Sequence, residues 1–118
     1  SPAERQDVLA RAVKILEERA DELKFLLAAE TGQPPTIVDM MQYGAAMSAF
    51  QYYAGAADKF TWRDIRDGVY GQTMVVREPI GVVAAVTAWN VPFFLAAIKL
   101  GPALIAGCTI VVKSRGER

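Results

Sequence analysis

Histidine is absent from the 118-residue chain. That removes Ser-His-Asp triads, Cys-His dyads, histidine general bases and nearly all catalytic zinc sites. Cysteine is almost absent as well: Cys108 stands alone, so neither an intrachain disulfide nor a CxxC metal or redox motif can form, and no metal site is expected. Such a chain suits a reducing compartment. Net charge is also missing. Thirteen basic residues balance thirteen acidic ones, leaving no sustained field to draw in nucleic acid or an anionic membrane surface. Neither GxGxxG nor GxxxxGK[ST] occurs, so no phosphate-cradling motif is available. The first residues enter charged, helix-like sequence without a basic-then-apolar leader, which sets a cytoplasmic expectation.

What is present suffices for a core. Hydrophobic residues make up 53% of the chain and charged ones 22%, a balance that excludes global disorder and fits one domain of ordinary size.

The first third reads as helix. Ser1-Pro2-Ala3-Glu4 fits a capping box, with Ser1 as N-cap and Pro2 at the first helical position. Leu9, Ala12, Val13, Leu16, Ala20 and Leu23 form an apolar stripe of period 3.6, opposite Arg11, Lys14, Glu17 and Glu18. Pro2 to Glu30 is long for one globular helix. Asp21 can cap a second segment, which leaves a kinked helix and two helices broken near Arg19–Asp21 as alternatives. Thr31-Gly32 followed by Pro34-Pro35 is a stop. A further helix is expected from Thr36, with Asp39 as its acidic N3 partner. Met40, Tyr43, Met47, Phe50 and Ala54 then share a face, and the periodicity makes that face core rather than a binding surface.

From Ala57 to Gly71 the pattern dissolves into alternating charges and glycines, which reads as a solvated connection with Trp62 as an anchor. Thr73–Arg77 is a short β-type run, closed by Glu78-Pro79; the proline denies that point a central-strand position.

The remainder has another texture. Twenty charge-free residues run from Pro79 to Ile98, and thirteen more from Leu100 to Val112. The length matches a membrane span, but Gly81, Asn90 and Pro92 interrupt it and Val82–Thr87 is β-type, so no membrane partner is expected. The better parse is strand Gly81–Ala88, a Trp89-Asn90-Val91 turn, helix Pro92–Ala106, a stop at Gly107 and strand Thr109–Lys113. Neither strand alternates apolar and polar residues, as expected of a parallel sheet covered on both faces.

Val82 to Lys113 spans 32 residues, the length of one βαβ unit with a right-handed crossover. Parallel strands bring their carboxyl ends to one edge, where ligands of such sheets bind. Asn90 and Lys113, 23 positions apart, are thereby delivered together. A neutral asparagine amide suits an oxyanion, or equally a turn bonding its own backbone. A lysine there suits ribose hydroxyls or phosphate, or simply a surface charge ending a buried strand. Cys108 follows Gly107 at the opposite edge, with no histidine or adjacent cation to activate it, and is expected to be structural.

At REPIGVVAAVTAWNVPFFLAAIKLGPALIAGCTIVVK, Arg77–Lys113, the chain closely resembles the start of the cofactor-binding domain of NAD(P)-dependent aldehyde dehydrogenases. SPAER…LEERADELKFLLAAETGQP resembles the helices preceding it, so that the resemblance spans Ser1 to Lys113. It implies an α/β fold: N-terminal helices, then the first βαβ unit of a Rossmann-like cofactor-binding domain, truncated, with a short β segment belonging to an oligomerisation domain. The implied units are 1–58, the helical part of the cofactor-binding domain; 59–80, the connection and oligomerisation-type strands; and 81–118, the first βαβ unit. Gly71–Pro79 is similar to strands that leave this domain, and needs no local sheet under that reading.

The resemblance also implies roles. Asn90 matches the asparagine whose amide holds the substrate oxygen as a thiohemiacetal forms. Lys113 matches the lysine that bonds the adenosine ribose of NAD or NADP, and Val86, Thr87 and Trp89 match the stretch lining the cofactor cleft. In this family a cysteine attacks an aldehyde, hydride passes to NAD(P), and a glutamate-activated water releases the acid. That cysteine, that glutamate and the glycine-containing pyrophosphate turn are not in this sequence, and Ser114-Arg115-Gly116-Glu117-Arg118 departs from the usual proline and acidic residue. The expectation is an N-terminal portion of an enzyme that is a homo-oligomer when complete, the 118 residues being silent alone. The alternative is a non-catalytic piece or interaction module that docks on other subunits.

Overall fold

A computed structural model describes residues 1–114. The end of the third unit and the departure at 115–118 lie outside the described residues.

Ser1 caps α1 (Pro2–Glu18): its Oγ accepts from the Glu4 N–H at 3.3 Å, and the Glu4 side chain answers to the Ser1 backbone. Helix α2 covers Ala20–Thr31. The break falls at Arg19, but Asp21 does not cap it; Asp21 lies in the first turn of α2. Backbone bonds run through the junction, from Arg19 N–H to Ile15 O at 3.1 Å and from Leu23 N–H to Arg19 O at 3.0 Å. The Arg19 and Leu23 donors at this kink are thus paired along the chain, and no side chain caps α2. The Arg19 guanidinium instead clasps Glu22 with bonds of 2.9 and 2.7 Å. Gly32, at φ 67°, closes α2 in the left-handed conformation.

The next helical run departs further from its expected form. It opens at Pro35, with Pro34 rather than Thr36 at the N-cap, as a single turn α3 (Pro35–Ile37). It widens into a π-helical turn over Val38–Gly44 before α4 (Ala45–Ala54). Asp39 is not a capping partner; its carboxylate pairs with the Lys24 ammonium of α2, and that hydrogen bond raises Lys24 above the ordinary lysine value. The wide turn changes the phase of the helix. Val38 and Gln42 face inward, while Met40, expected in the core, is 70% exposed. Beyond the turn the expected face holds: Met47 and Phe50 are buried, and Tyr43 and Ala54 are half-buried.

The stretch read as a solvated connection contains a strand. β1 (Arg63–Gly68) pairs antiparallel with β2 (Gly71–Val76), from Arg63↔Val76 to Gly68↔Gly71. The β-type run thus starts at Gly71, and it has a local sheet. Both faces of this ribbon are largely exposed, so its sequence carries no burial-driven alternation to read. Gly71, at φ 118°, makes the turn possible. Trp62 anchors the base of the ribbon, its indole N–H donating to Ala57 O at 2.7 Å.

β3 (Val82–Val86), α5 (Pro92–Ala106) and β4 (Thr109–Lys113) follow, with β3 parallel to β4. Gly107 ends α5 at φ 89°. The expected cover on both sheet faces is not met among the described residues: Val82 is 71% and Val111 62% exposed. Runs of this kind need layers on both sides, and the helices here pack on one.

Helices α1, α4 and α5 enclose the core. Val13, Ala46, Met47, Phe50 and Ala97 form one cluster, and Leu9, Ala56, Ala57 and Ile105 another. Arg5 of α1 donates from Nε to Ile105 O at 2.8 Å, tying the first helix to the end of α5. No helix among the described residues is long and apolar enough to cross a membrane.

Candidate functional site at the sheet edge

The five-residue ladder of β3 and β4 ends on the pair Val86↔Lys113. Thr87 prolongs it, donating its N–H to Lys113 O at 3.0 Å. The carboxyl end of β4 therefore lies directly beside the point where the chain leaves β3 for the Ala88–Val91 turn. Val86, Trp89, Asn90 and Lys113 are all exposed here, whereas Thr87 is buried at 4%. Thr87 shapes the edge through its backbone; its side chain faces the interior.

The turn is held from outside the βαβ unit. The Asn90 carbonyl accepts from Gln33 Nε2 at 2.9 Å and from Gln42 Nε2 at 3.0 Å. Gln33 follows α2 and Gln42 lies in the π turn. The two are joined by a third bond, Gln42 Nε2 to Gln33 Oε1 at 3.0 Å. With its carbonyl committed, Asn90 has a fixed backbone and a side-chain amide that makes no hydrogen bond among the described residues. Lys99 of α5 reaches the same edge, its ammonium donating to Val86 O.

Gln33, Gln42 and Lys99 were not singled out by the sequence reading. Lys99 carried a signal, being the one charge between Glu78 and Lys113. A glutamine in a helix carries none, and the π turn that directs Gln42 inward has no marker in the residue pattern. Cys108 lies at the other end of the sheet, buried at the start of β4.

The sequence profile of the aldehyde dehydrogenase family matches residues 1–117. The chain belongs to this family. It is 39% identical to Aldehyde dehydrogenase 1 of Tanacetum cinerariifolium, over 92% of this chain and 22% of that protein. It is 38% identical to the NADP/NAD-dependent aldehyde dehydrogenase PuuC of Escherichia coli (strain K12), over 96% of this chain and 23% of that one. Among solved structures, the Mycobacterium tuberculosis aldehyde dehydrogenase complexed with NAD+ superposes with a TM-score of 0.91 at 60% identity. That match covers 94% of this chain and 23% of the mycobacterial one. This sequence thus spans about a quarter of the length of the aldehyde dehydrogenases it matches.

The chemistry of the edge residues is compatible with a dinucleotide such as the NAD+ bound in the mycobacterial structure. An exposed lysine ammonium, an exposed indole and an exposed valine lie around the ends of two parallel strands. Lys113 supplies a cationic donor for hydroxyl or phosphate oxygens, and Trp89 and Val86 supply apolar surface.

Proposed function

We propose that this chain forms the N-terminal part of an aldehyde dehydrogenase that oxidises an aldehyde to a carboxylic acid with NAD(P)+. The observation that carries the reading is the shared edge. Asn90, with its carbonyl tied down and its amide unengaged among the described residues, follows the strand whose end is registered against Lys113.

In this reading Lys113 holds the adenosine ribose, and Val86, Thr87 and Trp89 line the cofactor cleft, Thr87 by its backbone. NAD(P)+, when bound, supplies the hydride acceptor. A cysteine outside this sequence adds to the aldehyde carbon, and negative charge collects on the former carbonyl oxygen. The Asn90 amide N–H is a preorganised donor for that oxygen, and such a donor is strongest where water is excluded. Hydride then leaves the carbon to give a thioester, which a water activated by a glutamate outside this sequence hydrolyses to the acid. Residues 1–58 and 81–118 belong to the cofactor-binding domain, and the ribbon within 59–80 to the oligomerisation part of a homo-oligomer. The 118 residues alone are inactive, because their one thiol is buried at the far end of the sheet.

A second reading has its own observation. Val82, Val86 and Val111 leave one face of the β3–β4 sheet apolar and exposed, which suits a piece that docks on other subunits without catalysing anything. One experiment separates the two: the mass of the native polypeptide carrying this sequence, with aldehyde-dependent NAD(P)H formation by the purified material. A polypeptide near 12.8 kDa with no activity supports docking. A polypeptide roughly four times longer, in keeping with the 22–23% of its relatives' length that this sequence spans, with activity supports the enzyme.

A further inference from the structure

Gln42 is wholly buried, yet its side chain is not fully satisfied. Both hydrogens of its amide are used, on the carbonyl of Asn90 and on Oε1 of Gln33, while its own Oε1 is buried without a partner among the described residues. An unpaired buried acceptor lowers stability, so an apolar side chain of the same volume would serve the core better. The backbone around it is equally specialised. Gln42 turns inward because Val38–Gly44 is wound as a π turn. Gly44 permits this winding: a Cβ there would meet Asp39 O at 2.9 Å. Wide turns of this type are rare and interrupt the regular ladder.

The unpaired oxygen and the wide turn are accounted for by one result. The carbonyl of Asn90 has two lone pairs, and Gln33 and Gln42 approach it at 2.9 and 3.0 Å. Pinning that carbonyl fixes the Asn90–Val91 peptide, and with it the direction in which the Asn90 side chain leaves the turn. Only a donor can do this, and Nε2 of glutamine is a donor. We propose that Gln42, assisted by Gln33, is a positioning residue that orients the Asn90 amide toward the substrate oxygen. The inference rests on the role given to Asn90 above.

The test is a double-mutant cycle on kcat in the dehydrogenase that carries this segment. Gln42→Met is expected to lower kcat about tenfold while leaving KM for NAD(P)+ within about twofold, since misaligned groups lose rate rather than cofactor affinity. In an Asn90→Ala background the same substitution is expected to change kcat by less than about twofold, because a positioning residue has nothing left to position. Equal losses in both backgrounds identify a merely structural role and overturn the inference. No loss in either background, with Asn90→Ala impaired, overturns it while leaving the role of Asn90 intact. Asn90→Ala without effect removes that role and this inference together. Should Gln42→Met fail to fold, Gln33→Met decides by the same criteria, since Gln33 is only half-buried.

Discussion

Thr87 and Lys113 are joined by a backbone hydrogen bond of 3.0 Å, one residue beyond the last pair of the β3–β4 ladder. That bond keeps the two strand ends in register while the chain leaves β3 for Asn90. The exposed Lys113 side chain is thereby held beside the turn instead of fraying with the strand end.

Lys113→Ala is expected to weaken NAD(P)+ binding about tenfold, the loss of one charge-assisted hydrogen bond. The backbone bond to Thr87 survives the substitution, so thermal stability should not move. Fluorescence titration of the cofactor beside a melting curve reads both. Unchanged cofactor affinity would reduce Lys113 to a surface charge.

Gly101 lies where α5 crosses Tyr53 of α4, and a Cβ there would meet Tyr53 Cδ2 at 2.5 Å. Alanine would gain about 1 kcal/mol of helix propensity but force the ring out of a packed contact, an overpacking cost of about 1–3 kcal/mol. Overpacking is expected to win. Gly101→Ala should lower stability by urea denaturation, and Tyr53→Leu in the same chain should restore part of it. A stabilised Gly101→Ala protein would contradict this packing.

Arg5→Met removes the bond to Ile105 O and the guanidinium that lies 5.5 Å from the Trp62 ring. A loss of about 1–2 kcal/mol is expected, because the carbonyl at the end of α5 is left without that donor. Denaturant midpoints of the two proteins measure it.

The Lys24–Asp39 pair ties α2 to the π turn, and its pH dependence has a definite sign. The hydrogen bond to Asp39 raises Lys24 above 10.5, so its contribution is complete below that value and disappears as pH rises through the raised one. Glu22 behaves in the opposite sense. Its hydrogen bond from Arg19 lowers it below 4.5, so its contribution is present above that pH and lost as pH falls through the lowered value. Lys24→Gln should therefore differ from the parent least in strong alkali, and Glu22→Gln least in strong acid. Glu22 is exposed and Lys24 only half-buried, so small shifts in pH-unfolding curves at low salt are the appropriate readout.

The elements that came through from residues to structure are those with local causes. Ser1 and Glu4 cap, Gly32 and Gly107 stop, Pro92 starts a helix, and Thr109–Lys113 forms a strand within its expected bounds. What stayed hidden depends on distant partners. Met40 reads as core on α-helical spacing and is exposed because the π turn rotates it outward. Arg63–Gly68 pairs with a strand but buries almost nothing, so no hydrophobic period marks it. At the candidate site, the parallel pairing was legible, and it sets the end of β4 at Lys113 beside the turn that carries Asn90. The bonds of Gln33 and Gln42 were not legible, since the carbonyl that accepts them is 57 and 48 positions away.

Asn90 is the residue on which the proposed chemistry depends. In the purified dehydrogenase carrying this segment, kcat for aldehyde oxidation by Asn90→Ala is the most direct measurement, taken alongside the Kd for NAD(P)+. Loss of an oxyanion donor predicts a fall of about 100- to 1,000-fold in kcat with cofactor affinity unchanged. A kcat within about twofold of the parent would show that the edge residue does not hold the reacting oxygen.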